Sequence, residues 1–143
     1  MTAEEIQCVY CGAVATEWDH LRPLVKGQRP TGFCSEIANL VPACGKCNQS
    51  KGASDWRSWM FGEARLSPAT RRILDIEARA RRIEAFARWR EPRLIDFEKS
   101  VAAELWNEHW RNHVALLKTL QECQIVADRI RSAVEASARS NVI

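Results

Sequence analysis

Two Cys-x-x-Cys pairs, Cys8-Val-Tyr-Cys11 and Cys44-Gly-Lys-Cys47, carry the plainest chemistry in this sequence. Each pair has the spacing of a tight turn that offers two thiolates to one ion. Four thiolates fill the tetrahedral shell of Zn²⁺ and leave no open position, so the expected zinc is structural, one per chain. Its role follows from size, because about 50 loop-rich residues bury too little apolar area to hold themselves together. The competing reading is a pair of redox dithiols. Cys34 and Cys123 stand alone and are expected as buried small hydrophobes rather than ligands.

Between the pairs lie Glu17-Trp18-Asp19-His20-Leu21-Arg22-Pro23 and, further on, Asn39-Leu40-Val41-Pro42-Ala43. Asn48 follows the last cysteine, with Lys51-Gly52 behind it. This order resembles the HNH (ββα-metal) endonuclease family in its zinc-stapled four-cysteine form. The shared pattern is Asp-His-x-x-Pro, then Asn-Leu, then Cys-x-x-Cys-(Asn or His)-x-x-Lys. It covers about residues 8–52, and Asn48 in the third motif position makes it the H-N-N variant.

The resemblance implies hydrolysis of phosphodiester bonds. His20 would be the general base, since a neutral imidazole titrating near pH 6.5 can take a proton from water at physiological pH. Asp19 and Asn48 would hold a hard catalytic cation, Mg²⁺ or Mn²⁺, through a carboxylate and an amide oxygen. Asn39 would hold the loop around His20 in its working orientation, and Asn48 would lie on the first turn of a helix that begins within the second cysteine pair. Neighbours on an extended strand point to opposite faces, so Asp19 and His20 share one phosphate only where the strand is distorted. Arg22, Lys26, Lys46 and Lys51 flank the motif and are candidates for phosphate contacts.

The elements that must position these residues divide the chain in two. Residues 1–52 carry five basic and five acidic side chains, whereas residues 65–93 hold nine arginines against four acids. Past Gly52 three helices are legible. A short one follows Ser54 as N-cap and ends near Phe61-Gly62. The second starts with Ser67 as N-cap and Pro68 at the first helical position, carries the apolar seam Ile73, Ile76, Ala80, Ile83, Ala87, and ends before Pro92. The third keeps a seam of alternating three- and four-residue steps from Ala102 through Trp106, His109, His113, Leu116, Leu120, Cys123, Ala127 and Ile130 to Val134. A seam this long predicts a coiled-coil-like helix that pairs with the second helix, a second subunit, or both. His109 and His113 have a metal-ligand spacing, but they fall on the seam and are expected to pack there.

The expected fold is therefore α+β: a zinc-bound ββα-metal core over residues 1–62, then a mainly helical part over 63–143 for DNA contact and dimerisation. Arg71, Arg72, Arg79 and Arg82 are the expected phosphate contacts of that part. The net charge of +3 is compatible with a polyanionic partner. The opening residues show neither a basic n-region nor an apolar core, and no apolar run approaches the roughly 18 residues of a membrane helix, so a cytoplasmic protein is expected. Taken together, the reading is a restriction-type endonuclease acting on double-stranded DNA as a homodimer. Its alternatives are a non-catalytic zinc-ribbon DNA-binding module and a structure- or RNA-specific nuclease.

Overall fold

A computed structural model describes residues 5–140 and has the expected α+β architecture. Four short strands, β1 (Glu17–His20), β2 (Val25–Lys26), β3 (Arg29–Pro30) and β4 (Leu40–Ala43), form two antiparallel pairs, β1 with β4 and β2 with β3. Glu17 lies opposite Ala43 and His20 opposite Leu40. Between β2 and β3 the chain reverses through Gly27 and Gln28 at φ 56° and 63°, the two-residue left-handed turn that suits a twisted hairpin. Helix α1 (Gly45–Lys51) follows β4 at once, with the extended Cys44 as its N-cap. Strand pair and helix together make the ββα unit.

The first cysteine turn is closed by Gly12 N donating to Cys8 O at 2.9 Å and by Cys8 N donating to Ala13 O at 2.7 Å. Gly12 sits at φ 78°, where a side chain would be strained. Val9 N donates to Pro42 O at 3.0 Å and ties this turn to β4.

Helix α2 (Trp56–Phe61) starts one residue later than expected. Asp55, not Ser54, is its N-cap, and its carboxylate accepts from Ser58 N at 2.9 Å. Helix α3 (Ile76–Trp89) also starts later than expected. Ser67 Oγ does accept from Thr70 N, but the turn it caps breaks at Arg72, whose φ is 56°. The helix restarts at Ile76 and ends ahead of Pro92 as expected.

The seam of α3 is spent on the ββα core. Ala80 and Ile83 are buried there with Tyr10, Leu21, Val41 and Trp59, and Ile76 and Ala87 pack against the same cluster. Tyr10 and Trp59 meet edge to face with ring centroids 5.1 Å apart. Compact units run Met1–Asp96 and Phe97–Ile143, and α3 belongs to the first.

The second unit consists of α4 (Phe97–Ser100) and α5 (Ala103–Ser140). All 38 residues of α5 are one helix, as the long seam requires. The rings of Trp106, His109 and His113 each stand edge-on to Trp110 within 5.5 Å. Further along, Leu116, Leu120, Ile130 and Val134 of the seam are exposed. Two expectations need correction here. Cys123 is exposed, because this face of α5 is uncovered, and Cys34 is half-buried in the loop before β4 rather than enclosed in the core. Among the described residues no helix is long and apolar enough to cross a membrane.

Candidate active site and zinc centre

The Sγ atoms of Cys8, Cys11, Cys44 and Cys47 lie within 4.8 Å of one another, with Cys11 and Cys44 at 3.6 Å. Zn–S bonds of about 2.3 Å in a tetrahedron place sulfurs roughly 3.8 Å apart, so the cluster fits structural zinc. Three of the four residues are buried. Crowding shows in their protonation. The Cys8 thiol is pulled down to about 4, foremost by its hydrogen bond with Cys47, and the same bond with burial pushes Cys47 up. A cation bound by such a cluster must displace the thiol protons, so its affinity depends on pH.

On β1, Glu17 and Asp19 share the face that α1 covers, as residues two apart on a strand must. Asn48 and Lys51, three apart on α1, share the helix face that meets them. Two rungs result. Asn48 Nδ2 donates to Glu17 Oε2 at 2.5 Å. Lys51 Nζ lies 3.1 Å from Asp19 Oδ2, with side-chain exposures of 0% and 5%. The same amine donates to His20 O at 2.8 Å, and Tyr10 Oη donates to Asp19 Oδ2 at 2.6 Å. Burial, and then the charge of Asp19, raises the Tyr10 hydroxyl well above its ordinary pKa, so it remains a donor.

The ring of His20 points elsewhere. Its Nε2 lies 2.7 Å from Ser35 Oγ on the loop before β4. Asn39, fully buried, spans the chain that follows His20. Its Oδ1 accepts from Arg22 N at 2.8 Å, and its Nδ2 donates to Arg22 O at 2.9 Å and to Cys34 O at 3.2 Å. The turn that follows His20 and the loop that carries its partner Ser35 are thus tied together by one amide.

The flanking cations separate by position. Lys26 and Lys46 are exposed, and Arg22 stacks over the Phe33 ring with its Nη1 buried and unpartnered. Lys51, expected beside phosphates, is instead buried against Asp19. Arg72 and Arg82 are exposed, whereas Arg71 and Arg79 turn inward to the cysteine cluster. Glu17 is not among the expected site residues. Strand alternation with Asp19 is the signal that points to it.

A zinc-stapled ββα unit with Asp-His on its first strand and Asn on its helix is the arrangement of the HNH class. Residues 8–54 match the family model described as HNH endonuclease, and the four clustered cysteines lie within that match. The chain is similar to the CRISPR-associated endonuclease Cas9 of Corynebacterium diphtheriae, at 40% identity over 60 residues. That likeness spans 39% of this chain and 5% of the Cas9 sequence. No solved structure gives a significant match. The family and the likeness support a nuclease.

Proposed function

We propose that this chain is a metal-dependent endonuclease of the restriction type that hydrolyses phosphodiester bonds of double-stranded DNA. The observation that carries the reading is the strand–helix ladder. One short strand and one helical turn, pinned by four cysteines, bring Glu17, Asp19 and Asn48 to one seam, with His20 next in the chain. Those oxygens suit a hard cation, Mg²⁺ or Mn²⁺. Glu17 and the Asn48 Oδ1 would hold it, joined by Asp19 once that carboxylate is freed from Lys51 or Tyr10. Such an ion supplies charge neutralisation on the scissile phosphate. His20 takes the proton of the attacking water, and Asn39 positions it by tying the turn at Arg22 to the loop at Cys34.

Residues 1–62 are the cutting part in this reading, buttressed by α3. The helical region 63–143 grips DNA and dimerises. Arg22, Lys26, Lys46, Arg72 and Arg82 are the phosphate contacts it leaves available, and the exposed seam of α5 is the dimer face. A two-fold dimer supplies two sites for two strands. One observation favours a second reading, a zinc-bound DNA-binding module without catalysis: both Asp19 oxygens are engaged within the protein.

Purified chain incubated with supercoiled and phage DNA, with Mg²⁺, Mn²⁺ or chelator, separates the two. Cleavage that needs the cation, with defined ends on sequencing, supports the enzyme. DNA binding with no cut under any cation supports the module.

A further inference from the structure

Arg71 and Arg79, expected on DNA, lie on the cysteines instead. Arg71 Nη2 is 2.7 Å from Cys47 Sγ, donating an N–H to the sulfur. Arg79 Nη1 donates to Cys8 O at 3.3 Å while its Nε is held by Asp75 at 2.9 Å. The guanidinium of Arg79 also lies against Gly12, where a Cβ would stand 2.4 Å from Nη2. One cation therefore meets the second cysteine pair and the other the first. Both come from the segment beyond the HNH match, Arg71 from the turn broken at Arg72 and Arg79 from α3.

Four thiolates and one Zn²⁺ leave two negative charges in excess, and the cluster is largely buried. Such a charge needs nearby compensation. An N–H donated to a thiolate also draws electron density from the sulfur, which lowers its reactivity toward protons and electrophiles, much as outer-shell partners tune other metal sites. The side chain of Arg79 is 12% exposed, so it is inside the fold rather than offered to a ligand.

We propose that Arg71 clamps the four-cysteine site, balancing its charge and slowing the loss of its zinc, while Arg79 braces the first cysteine turn through Cys8 O. The clamp makes zinc retention depend on the segment 71–79, outside the motif itself. This rests on zinc occupying the cysteines and not on any nuclease activity.

The test is the rate at which the zinc-loaded full chain releases metal to excess chelator, followed with a chromogenic zinc indicator. Arg71→Met keeps much of the bulk and removes the charge and donors, whereas Arg71→Lys keeps a charge and a donor. The expected result is release roughly tenfold or more faster for Arg71→Met, the equivalent of one charge-assisted hydrogen bond, with Arg71→Lys in between. Arg88→Gln, on the exposed part of α3, should release zinc at the parental rate. Equal rates for Arg71→Met and the parent would overturn the proposal. So would Arg71→Lys and Arg71→Met releasing equally fast, since shape and not charge would then be responsible. If Arg71→Met cannot be isolated folded, Arg71→Gln takes its place, and its release of zinc at the parental rate or at the Arg71→Lys rate would overturn the proposal.

Discussion

Glu17 and Asn48 face each other across the seam between β1 and α1, amide nitrogen 2.5 Å from carboxylate oxygen. One rung further along, Asp19 meets Lys51 at 3.1 Å in the interior. The spacing of the rungs is geometry: two residues advance a strand by about 6.6 Å and three advance a helix by about 4.5 Å, close enough for both pairs to form. A carboxylate with an amide oxygen forms the outer end, and a buried ion pair anchors the inner one.

That inner pair is costly to break from one side. Lys51→Met leaves the Asp19 carboxylate buried with Tyr10 as its remaining side-chain partner, and breaking a buried pair on one side costs about 3–5 kcal/mol. The double variant Lys51→Met/Asp19→Asn should recover much of that loss, since it removes both charges. Urea unfolding of the zinc-loaded protein measures both, and equal stability of Lys51→Met and parent would count against the buried pair.

Zinc on the four clustered cysteines is expected to hold the core together. Cys8→Ser or Cys47→Ser should give insoluble or protease-sensitive protein, and elemental analysis of the parent should find about one zinc per chain. Thiolate ligation and folding are one equilibrium in a unit this size. A Cys8→Ser chain that folds normally without zinc would refute the structural role.

Asn39 is proposed to position His20 through backbone, since its side chain bonds backbone atoms of Arg22 and Cys34. Asn39→Ala strips partners from Arg22 N, Arg22 O and Cys34 O, so a loss of about 2–3 kcal/mol is expected, on the order of 1 kcal/mol for each bond. As a positioning residue it should lower kcat more than it raises KM in protein confirmed folded at the assay temperature. A change in KM alone would place it elsewhere.

The four-cysteine cluster and the HNH pattern around it are legible in the amino-acid sequence, because the two Cys-x-x-Cys spacings interleave with that pattern. The parts that are not legible depend on contacts between elements. Lys51 looks like any surface lysine until α1 is laid on β1, which buries it against Asp19. Arg71 looks like part of a basic helix until Arg72 adopts a left-handed φ and ends the turn. The seam of α3 is legible as apolar, but its partner, the ββα core, is not, because periodicity says that a face is buried and not what covers it.

The seam of α5 leaves Leu120 and Ile130 exposed at 56% and 60%. An uncovered stripe of this length marks a partner, and a second copy of α5 is the proposed one. Sedimentation of the parent should report a dimer, with Leu120→Glu or Ile130→Glu monomeric and unable to cut both strands together. A parent that is monomeric at micromolar concentration and still makes double-strand breaks would defeat the dimer.

The most direct test of the proposed function is the cleavage rate of His20→Ala beside the parent, on supercoiled DNA with Mg²⁺ or Mn²⁺. The imidazole bonds Ser35 and is not part of the cysteine cluster, so zinc content, folding and DNA binding should be unchanged. Loss of the general base should cost at least about 10²-fold in rate. Such a drop in a folded, zinc-loaded, DNA-binding protein is the predicted result. Cleavage by His20→Ala at the parental rate would contradict the account.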